Sequence, residues 1–457
     1  MKKQFMILAV TSFMLTSCGI YTKYKPVTTV PDKLFGDSIS VATEDTVGLN
    51  RMSWQEIFTD PQLQKLIELG LQKNTDYLSA QLRVKEAEAT LLSAKLAFLP
   101  SFALAPQGTV SSFDHHKATQ IYSIPVAASW ELDIFGRMRN AKKQAKALYA
   151  QSLDYEQAVR TQVITSVANT YYTLLMLDAQ LEISEQTQIS WKETVDATRA
   201  LMKAGMANEA AVAQMEAAYL SVCTSVLDLK EQINIVENSM SLLLAETPHD
   251  IERGELDSQD MPKDISVGIP ISLLSNRPDV RAAERSLEQA FYATNQARSA
   301  FYPSITLNGN VGWTNSAGSM IVNPGKFLAS AVGSLTQPLF ARGQLIGQLK
   351  IAKAQQEEAR LAFQQMLLQA GTEVNDALMK YQTARDKSNL YERQIASLQT
   401  AYRNTSLLMR HGNTTYLEVL TAQQSLLNAQ LLQIANRTAE MQGIITLYSA
   451  LGGERNE

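Results

Sequence analysis

No proline occurs between Pro125 and Pro248, and none follows Pro338, so two stretches of over a hundred residues lack the strongest helix breaker. Both are rich in Ala, Gln, Leu, Glu and Lys, which favour helix. Each holds one turn signal: Lys203-Ala204-Gly205-Met206-Ala207-Asn208 in the first, Arg410-His411-Gly412-Asn413-Thr414-Thr415 in the second. Glycine supplies a left-handed C-cap, and Asn or Thr caps the helix that follows. Each stretch therefore reads as an antiparallel helical hairpin. The first arm, Met138 to Lys203, has 66 residues and would be roughly 100 Å long at the helical rise. In the second hairpin Leu417, Leu420, Leu427, Leu431, Ile434, Met441, Ile445 and Tyr448 follow a heptad seam, interrupted by polar Gln424 and Thr438.

The chain also contains itself twice. Ala94-Lys95-Leu96-Ala97-Phe98-Leu99-Pro100-Ser101 and Ala297-Arg298-Ser299-Ala300-Phe301-Tyr302-Pro303-Ser304 share five identities at an offset of 203. Phe135-Gly136-Arg137 falls on Phe340-Ala341-Arg342 at 205, and Gly205 on Gly412 at 207. The order is kept, which is a tandem duplication with a few small insertions. A shorter helix opens each half, about 62–99 and about 277–302. Between it and the hairpin the period changes to two. Tyr122, Ile124, Val126, Ala128, Trp130, Leu132 and Ile134 alternate with residues that include Ser123, Ser129, Glu131 and Asp133. Ile305, Leu307, Val311 and Trp313 face Ser304, Thr306, Asn308, Asn310 and Thr314 in the same way. Two strands of about ten residues per half are expected, at about 101–135 and 304–340, a length that spans a bilayer. A soluble sandwich would show the same alternation.

The N-terminus separates those readings. Lys2 and Lys3 precede an apolar run from Phe5 to Leu15, the pattern of a signal peptide over 1–17. It ends in Leu15-Thr16-Ser17-Cys18-Gly19, a lipobox, so Cys18 is the expected lipidation site: diacylglycerol on its thiol, an acyl chain on its new amine. An exported, lipid-tethered chain with membrane-length strands points to an outer-membrane barrel. Four strands form an open sheet, and each unpaired edge group costs several kcal/mol in lipid. Several copies must therefore share one barrel; two, three or four would satisfy the physics.

Composition excludes other classes. Lys and Arg number 41 against 45 Asp and Glu, a net charge of −4, which leaves no basic face for nucleic acid. Two cysteines and four histidines support neither a disulfide framework nor a metal centre, and Cys223 is expected to be a small core residue. No phosphate loop, nucleophile elbow or zinc-protease motif is present, so the chain is read as no enzyme, with no cofactor beyond the lipid on Cys18. The division expected is 18–51 as a lipidated extended segment, 52–246 as repeat 1, 247–271 as a linker and 272–453 as repeat 2. The acidic stretch 250–264 is expected to be solvated. Asp279, beside Pro278, is expected to cap its helix.

Together these features resemble the TolC-like outer-membrane factor family, and within it the NodT-type outer-membrane lipoproteins of multidrug efflux systems. The residues that carry the resemblance are Trp54-Gln55-Glu56-Ile57-Phe58-Thr59-Asp60-Pro61-Gln62-Leu63, Ala97-Phe98-Leu99-Pro100 and Trp130-Glu131-Leu132-Asp133-Ile134-Phe135-Gly136. In the second half they are Arg277-Pro278-Asp279-Val280-Arg281-Ala282-Ala283-Glu284, Phe301-Tyr302-Pro303, and Gly412 with Thr415. The resemblance implies a mainly α fold with a membrane β-barrel: a homotrimer whose twelve-stranded barrel sits in the outer membrane above a helical periplasmic tunnel. It implies a passive duct, a periplasmic adaptor, and an inner-membrane RND-type pump that supplies the energy. The same fold also serves as the outer channel of type I protein secretion, and a lipid-anchored coiled coil without a pore would have no use for the strands. Hairpin tips at Gly205, Met206, Gly412 and Thr415 would meet the adaptor. In the family, acidic residues just past the second turn constrict the entrance. Glu418 matches the first of these positions, while Thr421 departs from the acidic pattern at the second. Glu418 can equally be read as complementing the positive end of its helix.

Overall fold

In the computed structural model, the first helix is α1 (Trp54–Ile57), opened by a reciprocal capping box between Ser53 and Glu56. It is followed by α2 (Pro61–Lys73), α3 (Thr75–Leu96), strands β1 (Ser101–Leu104), β2 (Gln107–Ser111) and β3 (Thr119–Leu132), and helices α4 (Arg137–Lys203) and α5 (Glu209–Leu243). The second half holds α6 (Pro278–Ser299), β4 (Ser304–Ala317), β5 (Met320–Thr336), α7 (Gln344–Arg410) and α8 (Tyr416–Ala450). The residues described are 21, 23–25, 52–112, 114, 117–262, 277–317, 320–411 and 414–454. The signal peptide, Cys18, most of 18–51, His115-His116, 263–271 and Gly412 lie outside them. Duplication is visible as register. Both ends of α6 lie 203 residues beyond those of α3, and all four ends of α7 and α8 lie 207 beyond those of α4 and α5.

The chain forms two compact bodies. The first is built from 83–153 and 282–365 with the N-terminal segment, and it carries the sheet. β1 and β2 lie end to end along one edge of β3, and β4 and β5 follow on the other side, all antiparallel. Five segments thus occupy four strand positions. The gap between β1 and β2 falls at Ala105-Pro106, where Pro106 has no N–H to give; Ala105 N donates instead to Pro125 O at 3.1 Å. Pro125 faces Gly312 on β4, where a Cβ would stand 2.2 Å from Ile124 O, so only glycine fits that approach. The strands stop at Leu132 and Thr336, short of the expected 135 and 340. Asp133 is the reason in the first case: its carboxylate accepts from Met138 N (3.0 Å) and Arg139 N (2.8 Å), which draws it into the cap of α4. Pro338 lacks a ladder donor in the second.

The second body comprises 52–82, 154–281 and 366–454 within the described residues. Its core buries Trp54, Ile57, Phe58, Leu63 and Ile67 with Ile164, Tyr171, Leu174 and Tyr448. Asp60 is a polar knot: its carboxylate accepts from Tyr171 OH (2.6 Å), Gln259 Nε2 (2.8 Å) and Gln62 N (2.8 Å). Burial raises its pKa, but those hydrogen bonds outweigh burial and hold it below the ordinary carboxylate value. Two expectations are corrected here. The helix read as continuous over 62–99 breaks at Asn74, whose side chain caps α3 by accepting from Asp76 N (3.0 Å) and Tyr77 N (3.1 Å). The stretch 250–264 is not simply solvated: Ile251 and Leu256 are buried, and Arg253 donates to Asp178 (2.5 Å) and Glu237 (2.6 Å).

Along α8 the heptad reading holds at Leu427, Thr438, Met441, Ile445 and Tyr448, which are buried. Nearer its start the seam shifts. Leu417 and Gln424 are exposed, and Val419, Ala422 and Gln423 are buried instead. Trp191 fills a cluster with Val195, Met215, Val222 and Leu427, against which the seam residues Leu420 and Leu431 and also Tyr416 pack.

Candidate functional site

The first hairpin tip is a tight helical stop. Met206 N donates to Leu201 O (2.9 Å) and Gly205 N to Met202 O (3.0 Å), the paired bonds of a Schellman motif. Gly205 sits at φ +74°, which a side chain would strain, and Met206 is 66% exposed beside it. Asn208 then caps α5, accepting from Ala211 N at 2.8 Å, and Ala211 is buried. The second tip has the same register and different chemistry. Thr415 occupies the N-cap of α8 without a side-chain cap bond. Thr414 Oγ1 donates to the Glu418 carboxylate, which is exposed in the first turn. Thr421, one turn on, is also exposed, but its hydroxyl donates to Leu417 O (2.8 Å) and is satisfied within the helix. The structure thus brings Thr414, Thr415, Glu418 and Thr421 together at one helix end, while Gly412 lies outside the described residues.

Below the tips lies a polar link that sequence reasoning missed. Ser190 Oγ and Tyr402 OH are 3.0 Å apart, and Gln423 Nε2 donates to Ser190 Oγ at 3.1 Å. Three helices, α4, α7 and α8, meet through these side chains. No spacing in one helix could have announced them. Cys223 is half-buried, not a core residue; its sulfur accepts from Gln188 Nε2 at 3.1 Å.

The sheet is a second candidate surface, in the other body. Tyr122, Ile124, Val126 and Trp130 on β3 stand on one face and are exposed. Ile124, Val126 and Trp130 pair in register with Trp313, Val311 and Leu307 on β4, and the Trp313 ring meets Phe327 of β5 at 5.6 Å. The opposite face carries Ser129 hydrogen-bonded to Asn308 (2.8 Å) and Thr306 to Ser334 (2.6 Å). Among the described residues no element covers the apolar face. An uncovered sheet face of Trp, Ile, Val and Leu is the pattern of a wall in lipid, with polar residues on the lumen side.

The sequence matches the family described as outer membrane efflux protein over residues 66–246 and 269–453. The chain belongs to that family. It is 28% identical over 449 residues to the cation efflux system protein CusC of Escherichia coli O6:H1, covering 96% of each chain. It is 28% identical over 473 residues to the toluene efflux pump outer membrane protein TtgC of Pseudomonas putida, covering 99% of this chain and 96% of TtgC. The probable outer membrane lipoprotein SilC of Salmonella typhimurium is 25% identical over 452 residues, with 97% of each chain covered. A crystal structure of CusC, described in terms of transmembrane channel formation, superposes with a TM-score of 0.86 at 26% identity, over 95% of this chain and all of that one. The protein is therefore an efflux channel of the outer membrane, mainly helical, with a share of a membrane barrel.

Proposed function

We propose that three copies of this chain close one twelve-stranded barrel and form the exit duct of a tripartite, RND-type multidrug efflux system. The observation that supports it is the sheet: four strand positions, an apolar face open to the outside, and edges at β5 and at β1–β2. Pairing β5 of one copy with the β1–β2 edge of the next would remove every edge that lipid penalises. Exposed Leu220, Leu227, Ile235 and Leu242 along α5 supply apolar surface for lateral packing of helices. The chain divides as signal peptide (1–17), lipidated segment (18–51), repeat 1 (52–246), linker (247–271) and repeat 2 (272–453). Cys18 carries the lipid, in keeping with the lipoprotein description of SilC.

The duct is passive, and the inner-membrane pump drives transport. The periplasmic adaptor meets the tips at Gly205, Met206, Gly412 and Thr415. Glu418 and Thr421 line the periplasmic gate. Three Glu418 carboxylates around one axis would repel one another and favour cations; Thr421 adds bulk without charge. Isolated outer membranes should yield a detergent-resistant trimer that conducts ions in planar bilayers. A soluble monomer after Cys18→Ser, with no cross-linked trimer in the wild type, would overturn the reading. Glu418→Ala should raise single-channel conductance or lower cation selectivity, and no change in either would remove Glu418 from the gate.

A further inference from the structure

Charge is divided unevenly along this nearly neutral chain. The stretches 83–153 and 282–365, which build the sheet-bearing body, hold 16 Lys and Arg against 9 Asp and Glu. From Val30 onward, the rest of the chain holds 21 against 36. Much of the basic excess falls in the opening turns of α4, directly after β3: Arg137, Arg139, Lys142, Lys143 and Lys146, all exposed. Arg137 and Arg139 pair with Glu131 and Asp133. The three lysines do not pair; among the described residues no carboxylate lies within ion-pair distance of them. Two are held by rings instead. Lys142 Nζ stands 5.8 Å from the centroid of Phe98, and Lys143 Nζ 5.6 Å from that of Tyr292.

Tyr292 belongs to an aromatic cluster with Phe291 (5.5 Å) and Tyr24 (6.5 Å). Tyr24 is flanked by Lys23 and Lys25, both exposed. Tyr21 OH donates to Phe135 O at 2.7 Å, which fixes this N-terminal segment beside the end of β3. Phe98, just before β1, and Tyr292, in the helix that leads to β4, lie beside lysines that no described carboxylate pairs. This matches the chemistry near the headgroup layer, where aromatic bodies support ammonium groups that reach phosphate.

We infer that Lys23, Lys25, Lys142, Lys143 and Lys146 form a binding surface for anionic phospholipid headgroups in the periplasmic leaflet. The Phe98 and Tyr292 rings hold two of the lysines, and Tyr24 packs the N-terminal segment against Phe291 and Tyr292. The inference rests on the barrel reading, since β3 must end at the membrane for α4 to begin there. Cys18 lies three residues before Tyr21, so its lipid would start within about 11 Å of that tyrosine. Acyl chains and a basic patch then hold the same leaflet, a pairing stronger than either alone.

The test uses the full-length, lipidated protein in vesicles of phosphatidylethanolamine with a minority of phosphatidylglycerol. After gentle detergent extraction, native mass spectrometry counts the lipids of each class retained. Wild type should enrich phosphatidylglycerol by about fivefold per lysine at low ionic strength, falling as salt rises. The combined Lys142→Gln, Lys143→Gln, Lys146→Gln variant should lose that enrichment, and the matching Lys→Arg variant should keep it. No enrichment in wild type, or equal enrichment in the Gln variant, would overturn the surface. So would charge-dependent binding to isolated cell-wall sacculi without phosphatidylglycerol enrichment. If the Gln variant misfolds, the salt titration of wild type decides: enrichment that ignores salt sinks the inference. Failure of wild type to reach the outer membrane is scored separately and counts against the barrel, not the patch.

Discussion

Asn74 and Arg277 stand 203 residues apart in matching places of the two halves, each 5% exposed, and both close the same joint. Asn74 Nδ2 donates to Leu243 O, the last residue of α5, at 2.9 Å. Arg277 Nη1 donates to Ala450 O, the last residue of α8, also at 2.9 Å. The amide does a second job with its own carbonyl, capping α3. A guanidinium has no acceptor, so α6 starts on Pro278 and takes its first cap bond from Asp279, which accepts from Val280 N at 2.8 Å. The buried cation also draws in two carboxylates: Asp279 at 2.6 and 3.0 Å, and Glu373 at 2.6 Å. Where the second half has Glu373, the first has half-buried Ser166, at the offset of 207 that relates α7 to α4. Duplication has kept the backbone joint and let its chemistry diverge.

The largest effects should come from breaking the charged version. Arg277→Ala leaves two partly solvated carboxylates without their cation and the Ala450 carbonyl without its charged donor. It should cost about 2–4 kcal/mol in the unfolding of the solubilised protein. Asn74→Ala removes neutral bonds only and should cost about 1–3 kcal/mol in the same assay. Equal losses would mean that the charge contributes nothing beyond its hydrogen bonds. Combining Arg277→Asn with Glu373→Ser imports the first half's chemistry and should recover most of the Arg277→Ala loss, since neutral replacement of a buried charge and its partner is often tolerated.

Acid should separate the joints as well. Burial raises the Asp279 pKa, but the Arg277 fork outweighs it and holds the carboxyl below its ordinary value. A depressed folded-state pKa contributes stability that is present above the unfolded value and lost as pH falls through the folded one. Stability conferred by the Arg277–Asp279 pair should therefore decline on acidification below about pH 4, the ordinary Asp range. An Asp279→Asn variant measured across that range should show a shallower decline; parallel curves would remove Asp279 as the source.

The sequence made the large elements legible because their signals are redundant. The long helices could be read from missing prolines and paired turn glycines, and the strands from a period of two repeated in both halves. Joints were less legible. Asn74-Thr75-Asp76 is a local N-cap signal, but the bond from Asn74 to the Leu243 carbonyl, 169 residues away, has no local signature. Ser190, Tyr402 and Gln423 are likewise invisible locally, since each lies on a different helix. The heptad seam of α8 agrees with burial from Leu427 onward, whereas nearer the tip Val419, Ala422 and Gln423 are buried as well, which a single seven-residue period does not encode.

The two tips extend the comparison at a smaller scale. Asn208→Ala removes a cap bond of 2.8 Å and should cost about 1 kcal/mol, visible as faster amide exchange in the first turn of α5. Thr415→Ala removes a side chain that makes no cap bond, so α8 should exchange at nearly its original rate. Equal effects at both tips would refute the asymmetry.

The smallest contrast lies at the far ends of α5 and α8. Each helix is followed, two residues on, by a left-handed position: Ala245 at φ +53° in the first half and Gly452 at φ +96° in the second. The stop is closed in both cases by a bond back over five residues, Glu246 N to Ser241 O (2.9 Å) and Gly453 N to Tyr448 O (3.0 Å). Alanine carries a steric penalty there that glycine avoids, of roughly 1–2 kcal/mol, partly offset by glycine's greater freedom when unfolded. Ala245→Gly should therefore stabilise the protein by about 0.5–1 kcal/mol, measured as a higher denaturant midpoint at unchanged slope. A lower midpoint would show that the Ala245 methyl contributes packing that outweighs its backbone strain.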